Sequence, residues 1–147
     1  NSKKRATHFL HLLLLLTMRK RKPIFEIYSY GEFEKWNRES KDIPKILNFA
    51  TTIEAEIGTE FGYVLHIRQG KGENIEFKIE HPPFKNKEGE IAPPLEGVEY
   101  IRTNDYRFYL GDCVWEPLED KLGNWELTVM HNGKVVAHKI FKLVRKN

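Results

Sequence analysis

From Pro23 onward the hydrophobic pattern repeats every two residues, and no other feature restricts the possible folds as much. Tyr63, Leu65 and Ile67 alternate with Val64, His66 and Arg68. Ile75, Phe77 and Ile79 alternate with Asn74, Glu76, Lys78 and Glu80. Tyr106, Phe108 and Leu110 repeat the pattern, as do Trp125, Leu127 and Val129. Successive side chains of a strand point to opposite faces, so each stretch predicts a strand with one face in a core and one in water. No window of about 12 residues carries the apolar stripe of a helix.

Turn residues divide these stretches. Asn132-Gly133 between two apolar runs predicts a type I′ hairpin joining 124–130 to 134–143, because both central positions require positive φ. Gln69-Gly70-Lys71-Gly72 predicts a second hairpin, between 60–68 and 73–80. In the last strand Val135, Ala137, Phe141 and Leu143 share a face with Lys139, which points to an edge strand or a bulge. Pro82, Pro83, Pro93 and Pro94 cannot donate to a ladder, so residues 81–97 read as a long exposed crossover. Asp42–Phe49 reads as a short helical turn at most. The expected fold is all-β, an antiparallel immunoglobulin-like β-sandwich of about seven or eight strands with little helix. The Cys–Trp–Cys spacing of antibody domains is absent, so that expectation concerns architecture alone.

The length of 147 residues suits one core, and the reading divides it into an N-terminal extension, 1–22, and a single β domain, 23–147. Residues 1–22 contain seven of the 24 basic residues and no acid. That leaves 17 basic residues against 21 acids, a charge of −4 on the body, which gives no reason to expect nucleic acid. The apolar run Phe9–Leu16 is far short of the roughly 20 residues that span a bilayer, and the following Thr17-Met18-Arg19-Lys20 has no small-residue cleavage site. No transmembrane segment is expected, and Met18 reads as the start. A start there implies a cytoplasmic protein; a genuine leader would instead make it an exported, envelope-tethered one.

The residues carry no familiar catalytic pattern. His8, His11, His66, His81, His131 and His138 form no H-x-H or H-x-x-x-H pair, so no metal is expected. Cys113 stands alone, which rules out an internal disulfide, and it reads as a small strand residue. Ser2, Ser29 and Ser40 lack a nucleophile-elbow context, and Gly70-Lys71-Gly72 is no phosphate loop. The acid pairs Glu54/Glu56 and Glu119/Asp120 read as solvated faces. No catalytic residue and no cofactor is assigned. Aromatic residues are the richest resource for binding.

Several motifs in order resemble a known family. Ser40-Lys41-Asp42-Ile43-Pro44 leads to Ile57-Gly58-Thr59-Glu60-Phe61-Gly62-Tyr63, then Glu80-His81-Pro82-Pro83-Phe84 and Pro93-Pro94. Arg102-Thr103-Asn104-Asp105-Tyr106, Leu110-Gly111-Asp112, Gly123-Asn124-Trp125 and Asn132-Gly133-Lys134 follow. Over roughly residues 24–144 this is similar to the bacterial family catalogued as domain of unknown function 3859. The resemblance implies a small stand-alone bacterial protein and carries over no activity.

Two functional classes follow. A non-enzymatic binding module would take an unidentified protein or small-molecule partner on a surface built from His81, Phe84, Arg102, Asn104, Asp105, Asp112 and Trp115. The Arg102–Asp105 run reads equally well as turn caps. A small enzyme would instead need His81, Asp105 and Asp112 to converge in one pocket.

Overall fold

In a computed structural model that describes residues 21–147, the chain forms nine strands, and the period-two stretches are among them. His8, His11, the Phe9–Leu16 run and the Met18 start lie outside the described residues. The strands are β1 (Ile24–Phe33), β2 (Ile46–Asn48), β3 (Thr52–Ala55), β4 (Glu60–Arg68), β5 (Asn74–Glu80), β6 (Leu95–Tyr100), β7 (Asp105–Cys113), β8 (Gly123–His131) and β9 (Lys134–Arg145). One sheet has the order β2-β1-β4-β7 and the other β3-β9-β8-β5-β6. Every pairing is antiparallel except β3 with β9. The all-β sandwich expected from the alternation is the fold observed.

The core lies between the sheets. Phe61, Tyr63, Leu65 and Ile67 of β4 face Trp125, Leu127 and Val129 of β8, with Phe141 and Leu143 of β9 beside them. The Phe61 and Trp125 rings meet edge to face at 5.2 Å. Tyr63 donates its hydroxyl to the Leu127 carbonyl at 3.1 Å, fastening one sheet to the other. Burial pushes the Tyr63 hydroxyl far above its ordinary pKa, so it stays a donor. Each large side chain so buried is worth about 1.5–3 kcal/mol in transfer free energy.

Four local expectations are corrected. Gln69–Gly72 joins β4 of one sheet to β5 of the other and is therefore a corner, not a hairpin. The Gly72 amide bonds Ile101 O and the Ile101 amide bonds Glu73 O, which turns the chain toward β6. Residues 81–97 are not a crossover: β6 starts at Leu95 and returns antiparallel beside β5. The loop before it folds on itself through a Lys85–Ile91 bridge. The alternation of β6 was obscured by Gly97, which leaves room for the Phe77 ring at a point where a β-carbon would stand 2.3 Å from it. Within Asp42–Phe49 there is no helical turn; Ile46–Asn48 forms β2 along the end of β1. Finally, Val135 is 60% exposed, because a bulge opposite Val129/Met130 shifts the register and Val136 packs on the core instead. β9 is thus an internal strand with a bulge near its start; Lys139 itself pairs regularly opposite Leu127, with its ammonium 4.1 Å over the Tyr30 ring. The Asn132-Gly133 hairpin forms as expected, with φ of 51° and 78°.

The outer face of the four-stranded sheet is covered by the chain between β1 and β2. Trp36, Ile43 and Ile46 pack there on Phe33, Val64 and Tyr109. A row of glycines makes the contact close. Gly31 pairs with Gly62, and Gly62 with Gly111. A β-carbon on Gly31 would stand 2.0 Å from the Asn48 carbonyl oxygen and 2.8 Å from the Ala50 amide nitrogen, and its φ of 134° disfavours any side chain. Both clashes are with backbone, which cannot rotate away. Gly31→Ala is therefore expected to cost on the order of 2–4 kcal/mol, read as a lower urea midpoint with an unchanged slope.

Candidate functional site

The seven residues singled out from the sequence fall into two groups at opposite ends of the sandwich. His81, Phe84 and Trp115 come together at one end. The His81 and Phe84 rings stack at 4.1 Å, and Trp115 meets Phe84 edge-on at 5.1 Å. The buried Trp125 lies beneath, 5.7 Å from His81 and 6.4 Å from Trp115. The two His81 ring nitrogens lie 2.7 and 2.9 Å from the Pro82 and Pro93 carbonyl oxygens, so this imidazole pins the proline loop.

Sequence reasoning missed the centre of this cluster. Lys121, on the 3-10 turn Glu119–Lys121, is only 1% exposed. Its ammonium sits 4.9 Å over the Phe84 ring and 4.6 Å over the Trp115 ring. It donates to Pro117 O at 3.1 Å and to the Asp120 carboxylate at 2.6 Å. Trp125 Nε1 donates to the Lys121 carbonyl at 2.8 Å. The two aromatic rings thus flank a cation that the protein itself supplies. A lysine between two acids and a leucine has no periodic signature, and its burial depends on a loop more than 30 residues away.

Asp112 lies inward at the Cys113 end of β7 and accepts the Cys113 amide at 2.8 Å. Burial holds its carboxyl above the usual range, despite that hydrogen bond and the nearby Arg38, and the Glu60 charge adds to the rise. The Cys113 thiol is also pushed up, first by burial and then by Glu60, the reverse of what an activated nucleophile requires.

Arg102, Asn104 and Asp105 belong to the other end, beside the Gln69–Gly72 corner. Asn104 accepts the Lys71 amide through its side chain and the Gln69 amide through its carbonyl. The Thr103 hydroxyl donates to Asp105 O, and the Asp105 carboxylate pairs with His66, which holds that carboxyl below the usual range. These are turn and corner fastenings, as the capping reading expects. Asp105 and Asp112 sit at the two ends of one strand, roughly 23 Å apart at strand rise. The structure therefore overturns the His81, Asp105 and Asp112 pocket.

A second buried polar cluster had no sequence forewarning. The fully buried Glu60 carboxylate takes both Arg38 guanidinium nitrogens, at 3.3 and 3.2 Å, and the Tyr109 hydroxyl at 2.8 Å. Burial and the Glu60 charge push Tyr109 far up, so it remains a donor. The cluster clamps the covering segment onto β4 and β7. Among the described residues, no group of three or more His, Cys, Asp or Glu is placed to hold a metal ion.

Two outcomes are expected. Lys121→Ala should cost on the order of 2–4 kcal/mol in urea unfolding, whereas Lys121→Met should recover most of that, since a buried charge contributes less net stability than its packing. Asp112→Asn keeps the acceptor for Cys113. The raised folded-state pKa penalises the native state fully above that value and not at all below the unfolded one. The variant should therefore be the more stable at pH 7, and its advantage should shrink as the pH falls through the carboxyl range.

The likeness to known proteins agrees with the fold. An immunoglobulin-like protein from Pseudomonas aeruginosa, solved by crystallography, superposes with a TM-score of 0.68 at 20% identity, covering 85% of this chain and 98% of that one. No curated protein matches the sequence. The model of one protein family, described as a domain of unknown function (DUF3859), matches residues 21–143. By that match, which takes in every strand but the last residues of β9, the chain belongs to the DUF3859 family.

Proposed function

We propose that the domain is a non-enzymatic binding module that takes an extended segment of a partner protein along β6. The supporting observation is the state of that edge. β6 ends its sheet, and among the described strands only β5 pairs with it. Leu95, Val98 and Tyr100 are 51%, 66% and 53% exposed, an unusual apolar share for a bare edge strand. On the open face of this sheet a groove of about 460 Å³ runs over β6, β5 and β8, with Phe77, Val98 and Met130 as its apolar part and Glu76, Lys78 and Glu96 as its charged part. Lys78 is shared between Glu80 and Glu96, at 3.7 and 3.8 Å, and Glu76 has no ion-pair partner among the described residues. Acid is thus in excess, which suits a segment that alternates apolar and basic side chains. Main-chain bonds to the edge would supply affinity and the alternate side chains specificity.

The titratable groups that chemistry would need are engaged elsewhere. His66, His131 and His138 pair with Asp105, Glu73 and Glu126, and His81 holds carbonyl groups. No helix among the described residues is long and apolar enough to cross a membrane.

Selection from a displayed peptide library tests the reading. Binders are expected to carry Lys or Arg at alternate positions and to slow hydrogen exchange in β6, and Glu76→Lys with Glu96→Lys should weaken them at least tenfold. Binders that leave the β6 amides unprotected, or that tolerate the charge reversal, would refute it.

A further inference from the structure

The covered face of the four-stranded sheet has an opening of its own. Between β1 and the segment that leads into β2 lies a cavity of about 290 Å³. Val64 forms part of its wall and is 1% exposed; Ile43, Pro44 and Ile46 continue the apolar surface. Ser29, itself buried, adds a hydroxyl-bearing residue to the lining. Two cations complete it: Lys45 from the covering segment and Arg107 from β7. The Arg107 guanidinium lies 4.6 Å over the exposed Tyr28 ring, which leaves its edge free for a planar acceptor.

Among the described residues neither Lys45 nor Arg107 lies within 4.0 Å of a carboxylate. In the rows of the sheet around Arg107, Asp105 is committed to His66 and Glu26 to Arg68, while Glu34 meets Lys45 through a main-chain hydrogen bond and no ion pair. Arg107 does act on Asp105 through space, so part of its field is spent there, but it makes no ion pair with it. Two unpaired cations beside a half-enclosed apolar wall match one kind of guest. A carboxylate would gain charge-assisted hydrogen bonds from Arg107 and Lys45, and an attached apolar body would displace water from Val64, Ile43 and Ile46. The volume sits at the small end of ligand pockets, which favours a short aliphatic or single-ring acid over a nucleotide or a lipid chain.

We propose that this cavity is a binding site for a small amphipathic organic acid. It stands apart from the β6 edge and does not depend on strand addition there. Titration of the labelled protein with benzoate and hexanoate, each beside its neutral amide, tests it by amide shifts in the NMR spectrum. The expected result is saturable shifts at Ser29, Val64 and Arg107 with the acids and at least tenfold weaker binding of benzamide and hexanamide. Arg107→Gln, a substitution at a surface charge, should reduce acid affinity at least tenfold while the urea midpoint stays the same. Shifts that do not saturate or lie elsewhere, equal binding of the amides, or unchanged affinity in Arg107→Gln would each overturn the proposal.

Discussion

The backbone from Asn48 to Ala50 lies directly on Gly31, at a separation that leaves no space for a β-carbon. That approach holds the covering segment against the sheet, and the glycines opposite it, Gly62 and Gly111, extend the flat strip across β4 and β7. A β-carbon on Gly111 would meet the Tyr109 hydroxyl at 2.2 Å, so the same strip lets Tyr109 lie back toward Glu60. With the segment seated, Arg38 reaches Glu60 and the cavity by Tyr28 acquires its outer wall. The two sheets differ for this reason. One has its outer face closed by its own chain, whereas among the described residues no such segment covers the other.

The buried polar groups belong to this clamping. Glu60 with Arg38 and Tyr109, and Lys121 with Asp120 and two aromatic rings, each fix a loop to the sandwich. Taking such charges out of water costs several kcal/mol per ion before pairing offsets it, so their contribution is better understood as the placement of particular loops than as net stability. No buried side-chain nitrogen or oxygen among the described residues lacks a partner. The cluster around Lys121 therefore resembles a filled socket more than a vacant one.

The sequence disclosed which face β4, β5, β7 and β8 turn to the core, because side-chain alternation is a local property and survives any arrangement of strands. It did not disclose neighbours. Gln69–Gly72 has the composition of a hairpin whether the next strand stays in the sheet or leaves it, and only tertiary packing decides. Asn132-Gly133 was legible because a type I′ turn is specified by two φ angles within the loop itself. The same division holds at the site. The sequence offered His81, Phe84, Arg102, Asn104, Asp105, Asp112 and Trp115 as one surface. Neither the meeting of His81, Phe84 and Trp115 nor their separation from Arg102, Asn104 and Asp105 was legible, because motif order carries no information about which end of a strand a residue occupies. Lys121 and Glu60 were illegible, since a charged residue inside a fold is identifiable only from the partners that neutralise it.

The parallel pairing of β3 with β9 has a consequence for biosynthesis. β3 emerges early, yet its strand partner, residues 142–145, is made only after five other strands and the loop between β5 and β6. A nascent chain can assemble β1 and β4 as they appear, but it must carry β3 as an open ribbon with no template. Contacts so distant along the chain form slowly and leave edges available to other chains meanwhile. The exposed Glu54 and Thr52, alternating with the buried Ile53 and Ala55, keep that waiting ribbon polar on one side. The order in which the ribosome delivers these strands thus favours a charged, unattractive β3 for reasons separate from anything the finished domain does.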